Sequence, residues 1–219
     1  MVGNPQLVPE ASWRADLGIE LRRKWATIPL RLESQVAAFG SLADDLIVYV
    51  QNSQASVRPE NIESAAIAGL ETAAKMDLPL GLRLELSYTY LFTRNLSDSP
   101  VYNGKRLPGR PAHRLWARIG WKRRASGYDV MVWFETDFAG SNYLDAANLK
   151  EDTLARLLFG AGMNIEHRQS GLAISLRLQN LADTIAVGGG LDRRPLRDFE
   201  GFPLPGFTAM ATLAWRAKL

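Results

Sequence analysis

Two histidines, His113 and His167, are the only imidazoles in 219 residues, and there is no cysteine. Disulfides and thiolate metal ligands are therefore excluded. A structural or catalytic zinc needs three or four converging ligands. His113 stands where a loop enters a strand and His167 where a strand ends in a short turn. The strand order derived below sets those two places at opposite rims, so no two-histidine metal site is expected. A serine hydrolase needs a serine within hydrogen-bond reach of an imidazole and an acid behind it. No nucleophile motif marks such a serine, and both histidines are expected as solvated rim residues.

Other polar groups have plainer readings. Asp44-Asp45 could offer carboxylates to calcium, but a polar loop edge is the expectation. The stretch Arg110 to Arg124 is basic and holds two tryptophans, a pattern that can mark nucleic-acid binding. If it is a strand, Arg114, Arg118 and Lys122 share one side, facing a wet lumen, and Lys122 to Arg124 form a turn. Arg193, Arg194 and Arg197, beside Gly188-Gly189-Gly190, are candidates to capture an anionic ligand from the longest loop. A simple solvated loop reads equally well. No catalytic residue, metal or cofactor is expected, and no nucleic-acid partner.

The elements that must position these residues follow from hydrophobic period. Apolar residues make up 47% of the chain and charged residues 22%, with a formal net charge of +3. These are ordinary globular values, which an alternating membrane strand also has. No apolar run of about 18 residues exists to make a transmembrane helix. Period-two alternation dominates instead. Leu172, Ile174, Leu176 and Leu178 face away from Ala173, Ser175, Arg177 and Gln179. Leu82 to Thr93 repeats the pattern, as do Trp13 to Arg22, Arg114 to Lys122 and the segment from Phe207 to Trp215. Less regular strands are expected over roughly 26–39, or on to Val50, and over 62–75, 128–138 and 153–166, about nine in all.

Soluble strands usually run about 5–6 residues. Several of these hold their alternation for about 10–13, the span a tilted strand needs to cross a bilayer. Short links near 23–26, 76–81, 123–127 and 167–171 alternate with long ones near 51–61, 95–112, 139–152 and 180–206. An antiparallel up-and-down transmembrane β-barrel has this rhythm, with tight turns on one rim and long loops on the other. It places the C-terminus on the short-turn, periplasmic side. A soluble β-sandwich also alternates. Trp13, Trp121, Tyr128 and Phe207 near strand ends favour the membrane reading, because aromatics gather at bilayer interfaces.

Asn4-Pro5-Gln6-Leu7-Val8-Pro9-Glu10 resembles the Asn-Pro-x-Leu-x-Pro-Glu signature of TonB-dependent outer-membrane receptors. All five fixed positions, Asn4, Pro5, Leu7, Pro9 and Glu10, match. Further likenesses follow in order: Asp45-Leu46-Ile47, Ala68-Gly69-Leu70-Glu71, Leu86 to Leu91, Leu107 to His113, Gln179-Asn180-Leu181-Ala182-Asp183 and Gly201 to Phe207. The sequence departs from the family at Phe207, where the family usually has Arg. It also ends Trp215-Arg216-Ala217-Lys218-Leu219, not on a terminal aromatic.

The resemblance implies that residues 1–219 are about nine strands of a barrel of about 22 strands, its C-terminal part. The family's plug domain and TonB-binding segment have no counterpart here. The start of the chain also lacks a signal peptide, so an upstream part is expected. The implied setting is the Gram-negative outer membrane and its lipid. The implied function is uptake of a ferric siderophore, cobalamin or another chelate, driven by the TonB complex through the N-terminal region. A small self-closing porin or structural barrel is the alternative, and an outer-membrane hydrolase a further one. The nine strands alone are expected not to form a discrete water-soluble monomer, since their apolar face should exceed the few hundred Å² usual on such proteins.

Overall fold

The computed structural model describes residues 3–51, 57–149, 151–189, 193–199 and 202–216. Nine long strands, numbered in chain order, form one sheet: β1 (Ala11–Lys24), β2 (Arg31–Gln51), β3 (Val57–Asp77), β4 (Leu82–Asn95), β5 (His113–Ala125), β6 (Tyr128–Ala139), β7 (Arg156–His167), β8 (Leu172–Gln179) and β9 (Thr208–Trp215). Each pairs antiparallel with its sequence neighbours, a plain meander with β1 and β9 at its edges. Among the described residues no strand covers either edge.

The register puts like with like. Leu32, Met76, Leu84, Ile119 and Phe134 stand opposite one another in turn, on one face. Ile165, Ile174 and Leu213 do the same across β7 to β9. The other face carries Glu85, Arg118 and Glu135 in one row, and Glu71, Thr89 and Arg114 in another. The apolar face stays open: Leu17 is 78% exposed, Ile19 76% and Leu213 70%. Such exposure would be costly in water, and it is what a lipid-facing surface requires.

Four short connections share one rim. The turn after β3 includes Leu80 and Gly81, both at positive φ, and its Leu80 carbonyl accepts a bond from Trp121 Nε1 at 3.0 Å. Trp215 Nε1 likewise donates to the Ser170 carbonyl at 2.8 Å. The long loops lie at the opposite rim and are bonded to one another. Gly109 donates to the Tyr143 carbonyl at 2.8 Å, and Asn148 Nδ2 donates to the Arg106 carbonyl at 3.0 Å.

Strand bounds differ from the sequence expectation mainly in β2 and β3. They run to Gln51 and from Val57, so the expected long link at 51–61 is mostly a tall hairpin; residues 52–56 fall outside the description. The alternation is hidden because it reverses face partway. Asp45 has φ 53, and beyond it the even-numbered Leu46, Val48, Val50 and Ile62 join the odd-numbered Ala43 and Ala65 in one buried cluster. Leu107 from the next loop, fully buried, completes that cluster. It is the only sizeable core of buried residues described, and it sits in the long-loop region.

Candidate functional site

The polar face holds the chemistry, and its centre is Glu135 on β6, only 6% exposed. Arg118 on β5 reaches it through Nε at 3.1 Å and also through Nη2. Arg177 on β8 donates to the other carboxylate oxygen at 3.0 Å. Glu85 on β4 stands 3.9 Å from the Arg118 guanidinium on the far side. Four strands are thus tied by one alternating row of charges. Bonds of this kind, with both partners ionised, are shorter and stronger than neutral ones. The Arg118 guanidinium also lies 4.8 Å from the Trp116 ring centroid and 5.4 Å from that of Trp133.

Glycines make room for this row. A Cβ at Gly160 would come within 3.0 Å of Glu135 Cγ, and one at Gly162 would overlap the Trp133 ring. Beside the row, toward the long loops, a hollow is lined by Trp116, Glu135, Asp137, Arg156, Arg177 and Gln179. Charged groups of both signs and one indole line it together with the apolar Leu158, Phe159 and Leu204. They supply no nucleophile–base pair.

The residues singled out in the sequence fall in several places. Arg114, Arg118 and Lys122 do share the polar face, as expected for a strand. Arg118 belongs to the charge row; Lys122 to Arg124 are not the expected turn but the end of β5, paired with Met131 to Asp129, because the hairpin turns only at Ser126 and Gly127. His113 and His167 are at opposite rims but are not simply solvated. His113 Nδ1 bonds Tyr88 Oη at 2.8 Å and its ring lies 5.2 Å from that of Tyr90. His167 packs on Tyr128 and its Nδ1 bonds Ser170 Oγ at 2.8 Å. That serine was not evident from the sequence, because no motif surrounds it. The bond closes a four-residue turn, and among the described residues no carboxylate bonds the imidazole. Asp44 and Asp45 are not a loop edge but lie within β2, and no cluster of three metal-ligating side chains is found among the described residues.

The Asn-Pro-x-Leu-x-Pro-Glu segment lies against the tall hairpin. Asn4 Nδ2 donates to the Pro59 carbonyl at 2.9 Å and Asn4 Oδ1 accepts from Arg58 at 2.9 Å. Asn61 brackets Val8, accepting from its N–H and donating to its carbonyl, both at 3.0 Å. Glu10 accepts the Ile47 amide at 3.1 Å, just above the Asp45 kink. The segment therefore straps the start of β1 onto the tall hairpin. Arg110 in the neighbouring loop has its affinity for the proton lowered by burial, against the opposing pull of Glu10. An arginine stays charged regardless.

Asn180 and Asp183 do the same for the last loop. Asn180 Nδ2 donates to the carbonyls of Thr184 and Pro205, and Asp183 accepts the Phe207 amide at 2.7 Å. Arg193 is exposed, whereas Arg194 and Arg197 are partly covered around the buried Leu196; Gly190 and Gly201 lie outside the described residues.

Comparison with known proteins agrees with this geometry. The family model for the TonB dependent receptor-like β-barrel matches residues 1–181. No curated protein matches the sequence. Among solved structures, the copper transporter OprC superposes with a TM-score of 0.67 at 16% identity, over 95% of this chain and 31% of that one. The ferric yersiniabactin uptake receptor FyuA from Yersinia pestis gives 0.64 at 16%, over 94% and 30%. The ferric citrate transporter FecA gives 0.64 at 17%, over 94% and 32%. This chain thus spans about a third of the length of each. With the family model matched over residues 1–181 and a strict meander of apolar and charged faces, the chain belongs to the TonB-dependent receptor β-barrel family, as a nine-stranded antiparallel segment of its transmembrane barrel.

Proposed function

We propose that residues 1–219 form the C-terminal part of the wall of an outer-membrane active importer, one whose ligand is a ferric siderophore or a similar nutrient chelate. The observation that carries this is the pairing of a lipid-compatible apolar face with a charged face on a sheet that is open at both edges. In lipid every strand edge must find a partner. Nine antiparallel strands cannot close on themselves as a uniform meander, because β1 and β9 run parallel. That disfavours the small porin and favours a larger wall to which this sheet contributes. The charged face then lines the lumen, and its mixed charges suit a plug that must be held yet released. The TonB complex would act through that plug, from the periplasmic side, where the short turns and the C-terminus lie. The long loops, with Arg193, Arg194 and Arg197, would meet the ligand from outside.

The test is uptake. The complete receptor, expressed in a receptor-deficient cell, should restore accumulation of a radioiron-labelled ferric siderophore, and the gain should vanish in a TonB-deficient background. Leakage of small solutes independent of TonB, with no chelate uptake, would instead support a porin.

A further inference from the structure

The apolar face is not uniformly smooth. A groove crosses it from Leu32 on β2 to Thr136 on β6, walled by Met76, Leu84 and Ile119. Its floor is the adjacent row, in which Ala74 and Ala117 flank the larger Leu86, with Thr136 at the end. Four strand spacings of about 4.8 Å make it roughly 19 Å long.

The groove climbs away from one rim. Its wall row starts at Leu32, one residue from the end of β2, and passes Met76, one residue from the end of β3. It continues through Leu84, two residues inside β4, to Ile119, six residues short of the end of β5. With strands tilted about 45°, a 19 Å groove across them rises some 13 Å, close to one leaflet of a hydrocarbon core about 30 Å thick.

At the low end of the row stands a cation. Arg23 is the cross-strand partner of Leu32 and is exposed on the same apolar face. Its guanidinium lies 5.3 Å from the ring centroid of Trp25, an arrangement that holds the charge at the interface. Among the described residues of β1 to β6, no carboxylate stands on the outward rows near this rim; Asp44 lies toward the far one. A stacked arginine with no facing carboxylate, at the foot of a groove one leaflet deep, is complementary to an anionic headgroup with an acyl chain attached.

We propose that this groove and Arg23 form a binding site for one anionic diacyl phospholipid, such as phosphatidylglycerol, from the leaflet at the short-turn rim. The phosphate rests on Arg23 beside Trp25, and one acyl chain crosses the low places at Ala74 and Ala117, bending over Leu86 between them. This rests on the membrane placement proposed above. Arg123, stacked on Trp121 at 5.9 Å on the same rim, serves as the comparison, since the hollow beside it is lined by the charged Asp77, Arg83, Lys122 and Arg124 rather than by an apolar row.

The complete receptor is purified from outer membranes and exchanged through mixed micelles of phosphatidylglycerol and phosphatidylcholine. Native mass spectrometry then reads the lipids that it retains. The wild type should retain phosphatidylglycerol preferentially. Arg23→Gln should cut that preference about fivefold, the worth of one basic residue at an anionic surface, while Arg123→Gln leaves it nearly unchanged. Ala74→Leu with Ala117→Leu, which fills the floor with side chains lipid tolerates, should reduce retention of either lipid. Folded receptor without phosphatidylglycerol preference, or with equal loss in both arginine variants, overturns the lipid site alone. Receptor that never appears folded in the membrane overturns the membrane placement as well.

Discussion

Trp133 on β6 and Gly162 on β7 are directly opposed, and the indole occupies the space that a Cβ at position 162 would need. Phe39 lies over Gly69 in the same way between β2 and β3. A large ring covering a strand glycine restores the packing that the missing side chain would have given. Both pairs lie on the charged face.

Gly162→Val should therefore drive Trp133 off its seat and cost about 1–3 kcal/mol, as overpacking usually does. Gly120→Ala is the contrast, because a Cβ there meets Met131 only at 3.6 Å, an ordinary contact. Urea titration of the folded receptor in detergent, read by tryptophan fluorescence, should separate the two.

Leu176 and Ser175 are adjacent on β8 but face opposite ways: Leu176 opposes Met163 and Ala211, and Ser175 opposes Asn164 and Thr212. Arginine on a lipid face near the midplane costs roughly 2–4 kcal/mol. Leu176→Arg should thus impair membrane assembly far more than Ser175→Arg. Heat-modifiable mobility on cold gels would report it, and equal tolerance of both would contradict a lipid-facing apolar surface.

Glu135→Gln removes the charge shared by Arg118 and Arg177 and leaves two cations facing a neutral amide. A loss of about 1.5–3 kcal/mol is expected, the range for hydrogen bonds to charged groups. Glu85→Gln should cost less, since its carboxylate approaches Arg118 only at 3.9 Å. Comparing the two unfolding midpoints checks the ranking.

Asn61→Ala should act locally. It removes both bonds to Val8 and the bond to the Asp45 carbonyl, freeing the strap that precedes β1. Exchange of the Val8 amide should accelerate about tenfold, for ~1–2 kcal/mol of lost net bonding. Exchange in β6 and β7 should not change.

Alternation is a local property, so the sequence alone determined the class of fold. Leu172 to Gln179 or Leu82 to Thr93 can face two ways only as strands, and their length and link rhythm pointed to a membrane wall. The fixed positions from Asn4 to Glu10 pointed to the family. Tertiary structure alone decided the rest. The left-handed Asp45 reverses the faces of β2 and β3, which broke the pattern and concealed the tall hairpin behind an expected loop. Glu135, Arg118 and Arg177 meet only because β5, β6 and β8 pair, directly or through β7, in one particular register. Trp133 finds its glycine, and Ala74 and Ala117 come to flank Leu86, for the same reason. Which residues stand opposite one another depends on hydrogen bonds between distant segments, and no spacing within a single strand records them.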